Sequence, residues 1–308
     1  MFKLCWRQLI IILVFIAAVK SDCRVKKKTP KTKTKQAHNK TAGSTLSSPN
    51  TAELRIFGTE SSDACKGSNP RWEQGGPPPS TFSKLNLAEK YFLFQNVYAA
   101  ADTGPGSFQE LKCTSYSEGV LSWETDFSIN SMSSDKNNNV KSYNNAAVLL
   151  SPCVKISELK KISSTWVWDL SNKSADLDSN VSYDIFTSNE ENCSGQGSCA
   201  SHEIMIWLKA EGGALPTGSK ATNSKILIGK FEFELYEGMV GNTPVLSVIP
   251  ANGNEYKTFS ADMLPLLQTE LTQHGLKNSE FVCSVGAGPE VFHGSAKLTT
   301  SSYKLNIL

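Results

Sequence analysis

Ten short apolar runs, each bounded by turn-forming residues, decide the fold class of this chain before any other feature does. They are KYFLFQNVY, GVLSWETDFSI, AAVLL, STWVWDL, VSYDIFTS, HEIMIWL, KILIGKFEFELYE, TPVLSVIP, EFVCSV and SAKLTTSSYKLNI. Each alternates or clusters apolar side chains, and Gly, Asn, Ser and Pro separate them. Short runs of that kind read as strands, and many of them in succession predict an all-β sandwich or barrel over about residues 65–308. One segment departs from the pattern. SADMLPLLQTELTQHGL carries Leu264, Leu267 and Leu271 at helical spacing, with Ser260 as candidate cap, a start near 263 or 264 set by Pro265, and Gly275 as stop. There is no internal repeat and no glycine-rich phosphate loop ahead of a helix.

The N-terminal part is of another kind. Lys3 and Arg7 precede an apolar run over 9–19, and small residues follow at Ala17, Ala18 and Ser21. That order predicts a secretory signal peptide over 1–21, in preference to a signal anchor, because the run is short for a membrane span. Residues 24–40, RVKKKTPKTKTKQAHNK, hold eight Lys or Arg and no acid. Such a segment cannot bury enough apolar surface to fold, so 22–60 is expected to be a disordered basic tail ahead of a folded domain over 61–308. From residue 56 onward 19 Lys and Arg face 27 Asp and Glu, a net of −8 hidden by the near-neutral total. The tail could attach to an acidic surface; its composition favours a solvated linker or a removed propeptide. An acidic domain without a recognition module is not expected to bind nucleic acid.

Secretion makes the cysteines interpretable. Without Cys5, seven remain (Cys23, Cys65, Cys113, Cys153, Cys193, Cys199 and Cys283), so most are expected to pair. The polar loop CSGQGSC is short enough to close between Cys193 and Cys199; zinc is the weaker reading, since no second Cys pair or His cluster accompanies it. Asn39, Asn172, Asn180 and Asn192 stand in glycosylation sequons.

The functional signal lies in HEIMIWL, residues 202–208. On a strand one face collects Ile204, Ile206 and Leu208, and the other Glu203, Met205 and Trp207. A carboxylate between a thioether and an indole is costly to bury without a partner, but suits the floor of a groove where a sugar lies against the indole. A second carboxylate, Glu290, sits two residues before Phe292, and a third, Asp184, lies among apolar neighbours in VSYDIFTS. Two glutamates on different strands, each beside a ring that stacks on sugar, are the ingredients of glycoside hydrolysis.

HEIMIWL with GPEVFHGSAKLTTSSY resembles the two signature strands of glycoside hydrolase family 12, the endoglucanases and xyloglucanases, whose typical forms are E-[LI]-M-I-W and G-T-E-P-F-x-G. VKSYNNAA, VSYDIFTS, GGALPTG and the helix followed by GLKNSEF resemble further family segments in the expected order, over residues 65–307. The resemblance implies a β-jelly roll, a concanavalin-like sandwich of two curved antiparallel sheets with one short helix and a concave cleft. It implies internal, retaining hydrolysis of β-1,4-glucans. Glu203 would be the nucleophile, Glu290 the general acid/base and Asp184 the acid that assists the nucleophile. Trp72, Asn96, Tyr98, Trp123, Met205, Trp207, Pro216 and Phe292 would contact substrate, and Cys65 would pair with Cys113. No cofactor and no metal are implied; the expected partner of this secreted, monomeric enzyme is the polysaccharide, with no membrane once the signal is removed.

The chemistry fits this assignment. A retaining pair stands roughly 5–5.5 Å apart, and a charged nucleophile keeps its neighbour protonated until the glycosyl ester forms. Three acids in one cleft lead to an expected optimum on the mildly acidic side. Departures from the family pattern are Tyr98 for a tryptophan, Pro289 for Thr, Val291 for Pro, and His293 beside Phe292, with alternation turning His293 away from Phe292. The rival readings are an inactive glucan-binding jelly roll, lectin-like or a decoy, and a secreted interaction protein; a pure binder has no need of all three acids.

Overall fold

The computed structural model describes residue 65 and residues 71–76, 84–87, 90–193 and 199–308. The expected signal and tail, with Cys23 and Asn39, lie outside the described residues. Fifteen strands follow in order: β1 (Arg71–Glu73), β2 (Lys84–Leu87), β3 (Tyr91–Phe94), β4 (Phe108–Ser117), β5 (Val120–Ile129), β6 (Ser142–Tyr143), β7 (Asn145–Lys155) and β8 (Ile162–Ser171). After them come β9 (Asp178–Ser188), β10 (Ala200–Glu211), β11 (Ser219–Ile228), β12 (Phe231–Val240), β13 (Thr243–Pro250), β14 (Thr258–Asp262) and β15 (Phe281–Ile307).

They form two layers. The first runs β1-β4-β5-β15-β8-β14. The second runs β2-β3-β7-β15-β9-β10-β13-β12-β11, with β6 also paired to β15. Pairing is antiparallel except between β10 and β13. The strand β15 belongs to both layers: residues 281–293 pair in the second, residues 294–307 in the first. It changes layers at Gly294, whose φ of +94° and close approach to the Leu177 backbone, 2.5 Å from where a Cβ would sit, admit only glycine. EFVCSV and SAKLTTSSYKLNI, two separate runs in the sequence, are therefore the two ends of one strand.

Alternating residues of both layers meet in one core. At its centre Trp123 stacks on Trp166 at 6.0 Å between ring centroids and meets Tyr303 edge-on at 5.4 Å. Tyr183 closes on Trp166 at 5.2 Å. Trp123 is 0% exposed, so the expectation that it contacts substrate is corrected: burial of a large aromatic area holds it between the layers. Trp123→Ala is expected to cost about 3–5 kcal/mol of stability, read from a denaturant midpoint, with KM unchanged in the folded fraction. A raised KM at unchanged stability would return the indole to the substrate side. Trp72 likewise joins the main core, on the inward face of β1, and not the site cluster described below.

The helical segment starts where Pro265 requires, at 264, and stops at Gly275, which is left-handed at φ +98°. Its turns are wide and then tight, a π-helix at Leu266–Glu270 and a 3-10 turn at Leu271–His274. Ser260 is not its cap. It lies within β14, and the Asp262 carboxylate instead accepts from Leu264 N at 3.1 Å. The strand β4, whose sequence FQELKCTSYS is polar enough to hide its alternation, was not among the expected runs.

Cys65 pairs with Cys113, as the resemblance implied. Cys193 pairs with Cys199, which replaces the zinc reading of that loop, and Cys153 pairs with Cys283. The last two bridges pack together. Asn180 is fully buried inside β9, so this sequon cannot carry a glycan in the folded chain, whereas Asn172 and Asn192 are exposed.

Candidate active site

The faces expected of HEIMIWL are the faces observed. Ile204, Ile206 and Leu208 enter the main core, while Met205 and Trp207 join Phe292, Ala214, Val240 and Val245 in a second apolar cluster on the opposite face of the second sheet. Glu203, only 8% exposed, shares that face. The residue before it, His202, turns the other way, with Nδ1 2.9 Å from the buried Glu280 carboxylate, which also accepts from Thr187 Oγ1 and Ser201 Oγ.

Register then brings the other acids to the same face. On β9, Asp184 lies opposite Met205 and Glu203 opposite Phe186, so Asp184 and Glu203 are diagonal neighbours across one strand pair. On β15, Gly286 lies opposite Asp184 and Glu290 opposite Asn180 and Tyr143. Asn180 Nδ2–H donates to Glu290 Oε2 at 2.6 Å, while its Oδ1 accepts from Glu290 N at 3.2 Å and from Ser182 Oγ at 2.9 Å. Two devices hold this stretch of β15. At Gly288 a Cβ would stand 1.9 Å from the Asn144 carbonyl oxygen, so glycine is required. Lys141, 0% exposed, donates through Nζ to the carbonyls of Phe292, Lys136 and Asn139 at 2.6, 2.7 and 2.9 Å, and burial pulls its pKa down to about 8.

Burial pushes all three carboxyls up. Glu203 rises to about 8, first through desolvation and then through the charge of Glu290. Glu290 rises to about 7 through desolvation, opposed by the Asn180 hydrogen bond. Asp184 is raised well above the ordinary range by desolvation and by the charges of Glu203 and Glu290. Three acids that feel one another in a poorly solvated cluster, Glu203 buried and Asp184 and Glu290 partly so, cannot all ionise at neutral pH, so the cluster holds protons that it can donate. Tyr98, partly exposed, has its hydroxyl raised by burial and then by the charges of Glu290, Glu203 and Asp184, so it lies within reach of their field. Asn96 sits at φ +41° with Oδ1 buried and without a hydrogen-bond partner among the described residues. Pro216 is buried in the loop after β10, beside the cluster member Ala214. His293, behind a bulge in β15, turns Nδ1 to the Asn137 carbonyl at 3.1 Å.

Asn180, Tyr143 and Lys141 were missed as site residues by sequence reasoning. Alternation backward from Asp184 through Ser182 reaches Asn180 on the same face, a signal obscured by its sequon. Tyr143, whose hydroxyl donates to the Ser182 carbonyl at 3.1 Å, feels the charges of Asp184 and Glu290.

Paired carboxyls, Glu203 buried and Glu290 partly buried, beside an aromatic and thioether floor on one face of a two-layer β-sandwich define a glycoside hydrolase. The comparisons with known proteins agree. The model of the family described as Glycosyl hydrolase family 12 matches residues 89–307. The xyloglucan-specific endo-beta-1,4-glucanase A of Emericella nidulans is 35% identical over 225 residues, spanning 71% of this chain and 87% of that protein. The xyloglucan-specific endo-beta-1,4-glucanase 1 of Phytophthora nicotianae is 32% identical, spanning 70% and 85%. Among solved structures, Trichoderma harzianum endoglucanase 3 superimposes with a TM-score of 0.66 at 22% identity, over 78% of this chain and 98% of that one. A family 12 xyloglucanase from Bacillus licheniformis gives 0.60 at 20% identity, over 79% and 100%. The fold is therefore the β-jelly roll of those enzymes, and the chain belongs to glycosyl hydrolase family 12.

Proposed function

We propose that this chain is a secreted, retaining endo-β-1,4-glucanase whose preferred polymer is xyloglucan. The observation that carries the chemistry is the convergence of Glu203, Glu290 and Asp184 on one sheet face beside Met205, Trp207 and Phe292. The names of the relatives at 32–35% identity support the polymer. Glu203 attacks the anomeric carbon while Glu290 protonates the leaving oxygen; water then attacks that carbon, gives a proton to Glu290, and breaks the ester so that Glu203 leaves as the carboxylate. Asp184, the acid held protonated by burial and two neighbouring charges, offers its proton to Glu203 and fixes its orientation. Trp207 and Phe292, 1% and 7% exposed, form the packed floor beneath the acids, which corrects the expectation that they contact substrate directly; the partly exposed Tyr98 supplies the platform for a sugar ring, and Asn96 Oδ1, without a partner among the described residues, accepts from a sugar hydroxyl. The described residues hold no helix long and apolar enough to cross a membrane. Three disulfides, together with the leader-like sequence over 1–21, support secretion, and a monomer with its catalytic domain over 61–308 is the form we propose.

Burial raises both carboxyls, which moves the expected optimum up from the mildly acidic range toward neutrality; the two acids share protons as a unit, and the singly protonated form with the proton on Glu290 is the active one. Asn180 stabilises ionised Glu290, so Asn180→Ala raises the pKa of Glu290 further. The alkaline limb of kcat/KM is then expected at higher pH than in the wild type, and an unmoved limb would remove Glu290 from the acid role. The function itself is tested by reducing-sugar release from tamarind xyloglucan, barley β-glucan and carboxymethylcellulose. Fastest turnover of xyloglucan is expected; no release from any of the three would overturn the reading.

A further inference from the structure

A fourth carboxylate, which the proposed reaction does not use, is buried behind the nucleophile on the core side of the sheet. Glu280 is 1% exposed and directly precedes β15. Its Oε2 accepts from Thr187 Oγ1 at 2.8 Å, from His202 Nδ1 at 2.9 Å and from Ser201 Oγ, and its Oε1 accepts from Lys277 N at 3.1 Å. Burial works against the charge, but the hydrogen bonds from His202 and Ser201 outweigh it and hold this carboxyl below its ordinary value. Asp178 and Glu203, the other fully buried acids among the described residues, are both pushed up by desolvation. Glu280 therefore keeps a fixed charge, whereas the reacting acids exchange protons.

Two of its donors sit where the strand of the nucleophile is irregular. Ala200 lies opposite Ser188 and His202 opposite Thr187, so Ser201 is an extra residue, a bulge in β10 just ahead of Glu203. A bulge re-aims the side chains that follow it, and a slip of one residue turns each of them to the other face. Such a slip would send Glu203 toward the core and Ile204 into the cleft. The Glu280 carboxylate grips Ser201 and His202 together and ties both to Thr187, which lies three residues beyond Asp184 on β9. Because Glu280 leads straight into β15, one charge joins the three strands that carry Asp184, Glu203 and Glu290. The other side of the bulge is held as well: Ser188 Oγ donates to the Cys199 carbonyl at 2.6 Å, and Cys199 is bridged to Cys193.

We propose that Glu280 is a positioning residue, which locks the bulge at Ser201 and His202 and so sets the aim of Glu203. The inference rests on the reading of Glu203 as the nucleophile and extends it to the strand behind. The test compares Glu280→Leu, Glu280→Gln and Ser201→Ala with the wild type on tamarind xyloglucan and on an aryl β-cellobioside. Rates are expressed per folded molecule, counted by near-ultraviolet circular dichroism. Leucine removes every acceptor, and kcat is expected to fall about 10²-fold on both substrates at unchanged KM, the cost of misplacing a reacting group by about 1 Å. Equal loss on the two substrates marks a misaimed nucleophile and not a lost acid. Glutamine keeps one oxygen, and the Thr187 and Ser201 hydroxyls can accept from its amide, so Glu280→Gln should restore most of the rate. Ser201→Ala frees only the extra residue and should cost severalfold in kcat; it decides the matter where Glu280→Leu does not fold. Amide hydrogen exchange over 200–208 reads the lock without turnover, and protection should drop in both Glu280→Leu and Ser201→Ala. An active wild type whose kcat per folded molecule survives these two substitutions, or falls on xyloglucan alone, would overturn the lock and keep the enzyme. A wild type inert on both substrates, with exchange still loosened in the variants, would sink the enzyme reading and keep the lock.

Discussion

Glu203→Gln is expected to lower kcat on xyloglucan by at least about 10³-fold, because an amide cannot form the glycosyl ester. The same substitution should leave the fold intact and change its stability in a pH-dependent way. A buried carboxyl whose folded pKa is raised to about 8 opposes folding as pH climbs above the ordinary carboxylate range, since only the unfolded chain ionises freely there. Removing it therefore raises Tm at pH 8 and leaves Tm nearly unchanged at pH 4, where both states are protonated. Loss of activity together with a lower Tm at pH 8 would mean that Glu203 is a structural acid, and that its place beside Met205 and Trp207 is incidental.

Glu290→Gln should cost about 10²–10⁴-fold on the polymer, the usual worth of a positioned acid. The loss is expected to be far smaller on an aryl β-cellobioside with an easily expelled phenolate, which leaves without a proton. The alkaline limb of kcat/KM should vanish, since it reports the deprotonation of Glu290 in the free enzyme. An equal loss on polymer and aryl glycoside would contradict the acid role and assign Glu290 to binding alone.

How much of this was legible beforehand differs by residue, for physical reasons. The two faces of HEIMIWL followed from period-two alternation, which a sheet buried on both sides cannot disobey without exposing Ile204 and Ile206 or stranding Trp207. The pairing of Glu203 with Asp184 and of Glu290 with Asn180 was not legible from alternation, because register between distant strands is set by the whole sheet; only the family resemblance joined the acids. The single strand over 281–307 was hidden for a similar reason: Gly294 in GSAK reads locally as a stop, and only its approach to Leu177 shows it to be a bend between layers. Trp123 illustrates the opposite error. An aromatic on a strand of a sugar hydrolase invites a place in the cleft, yet its layer faces the core on that side, where Trp166 and Tyr303 already wait. Lys141 was visible in VKSY, but nothing in the sequence says that a lysine will spend its charge on three backbone carbonyls and so anchor the strand of the acid/base.

The central claim is that Glu203 carries the sugar through a covalent intermediate. Incubation with a 2-deoxy-2-fluoro-cellotriosyl fluoride, followed by mass spectrometry of the proteolysed protein, tests it directly. The account predicts one added trisaccharide on the peptide containing Glu203. A label on Asp184 or Glu290, or turnover with inverted anomeric configuration and no label, would contradict it.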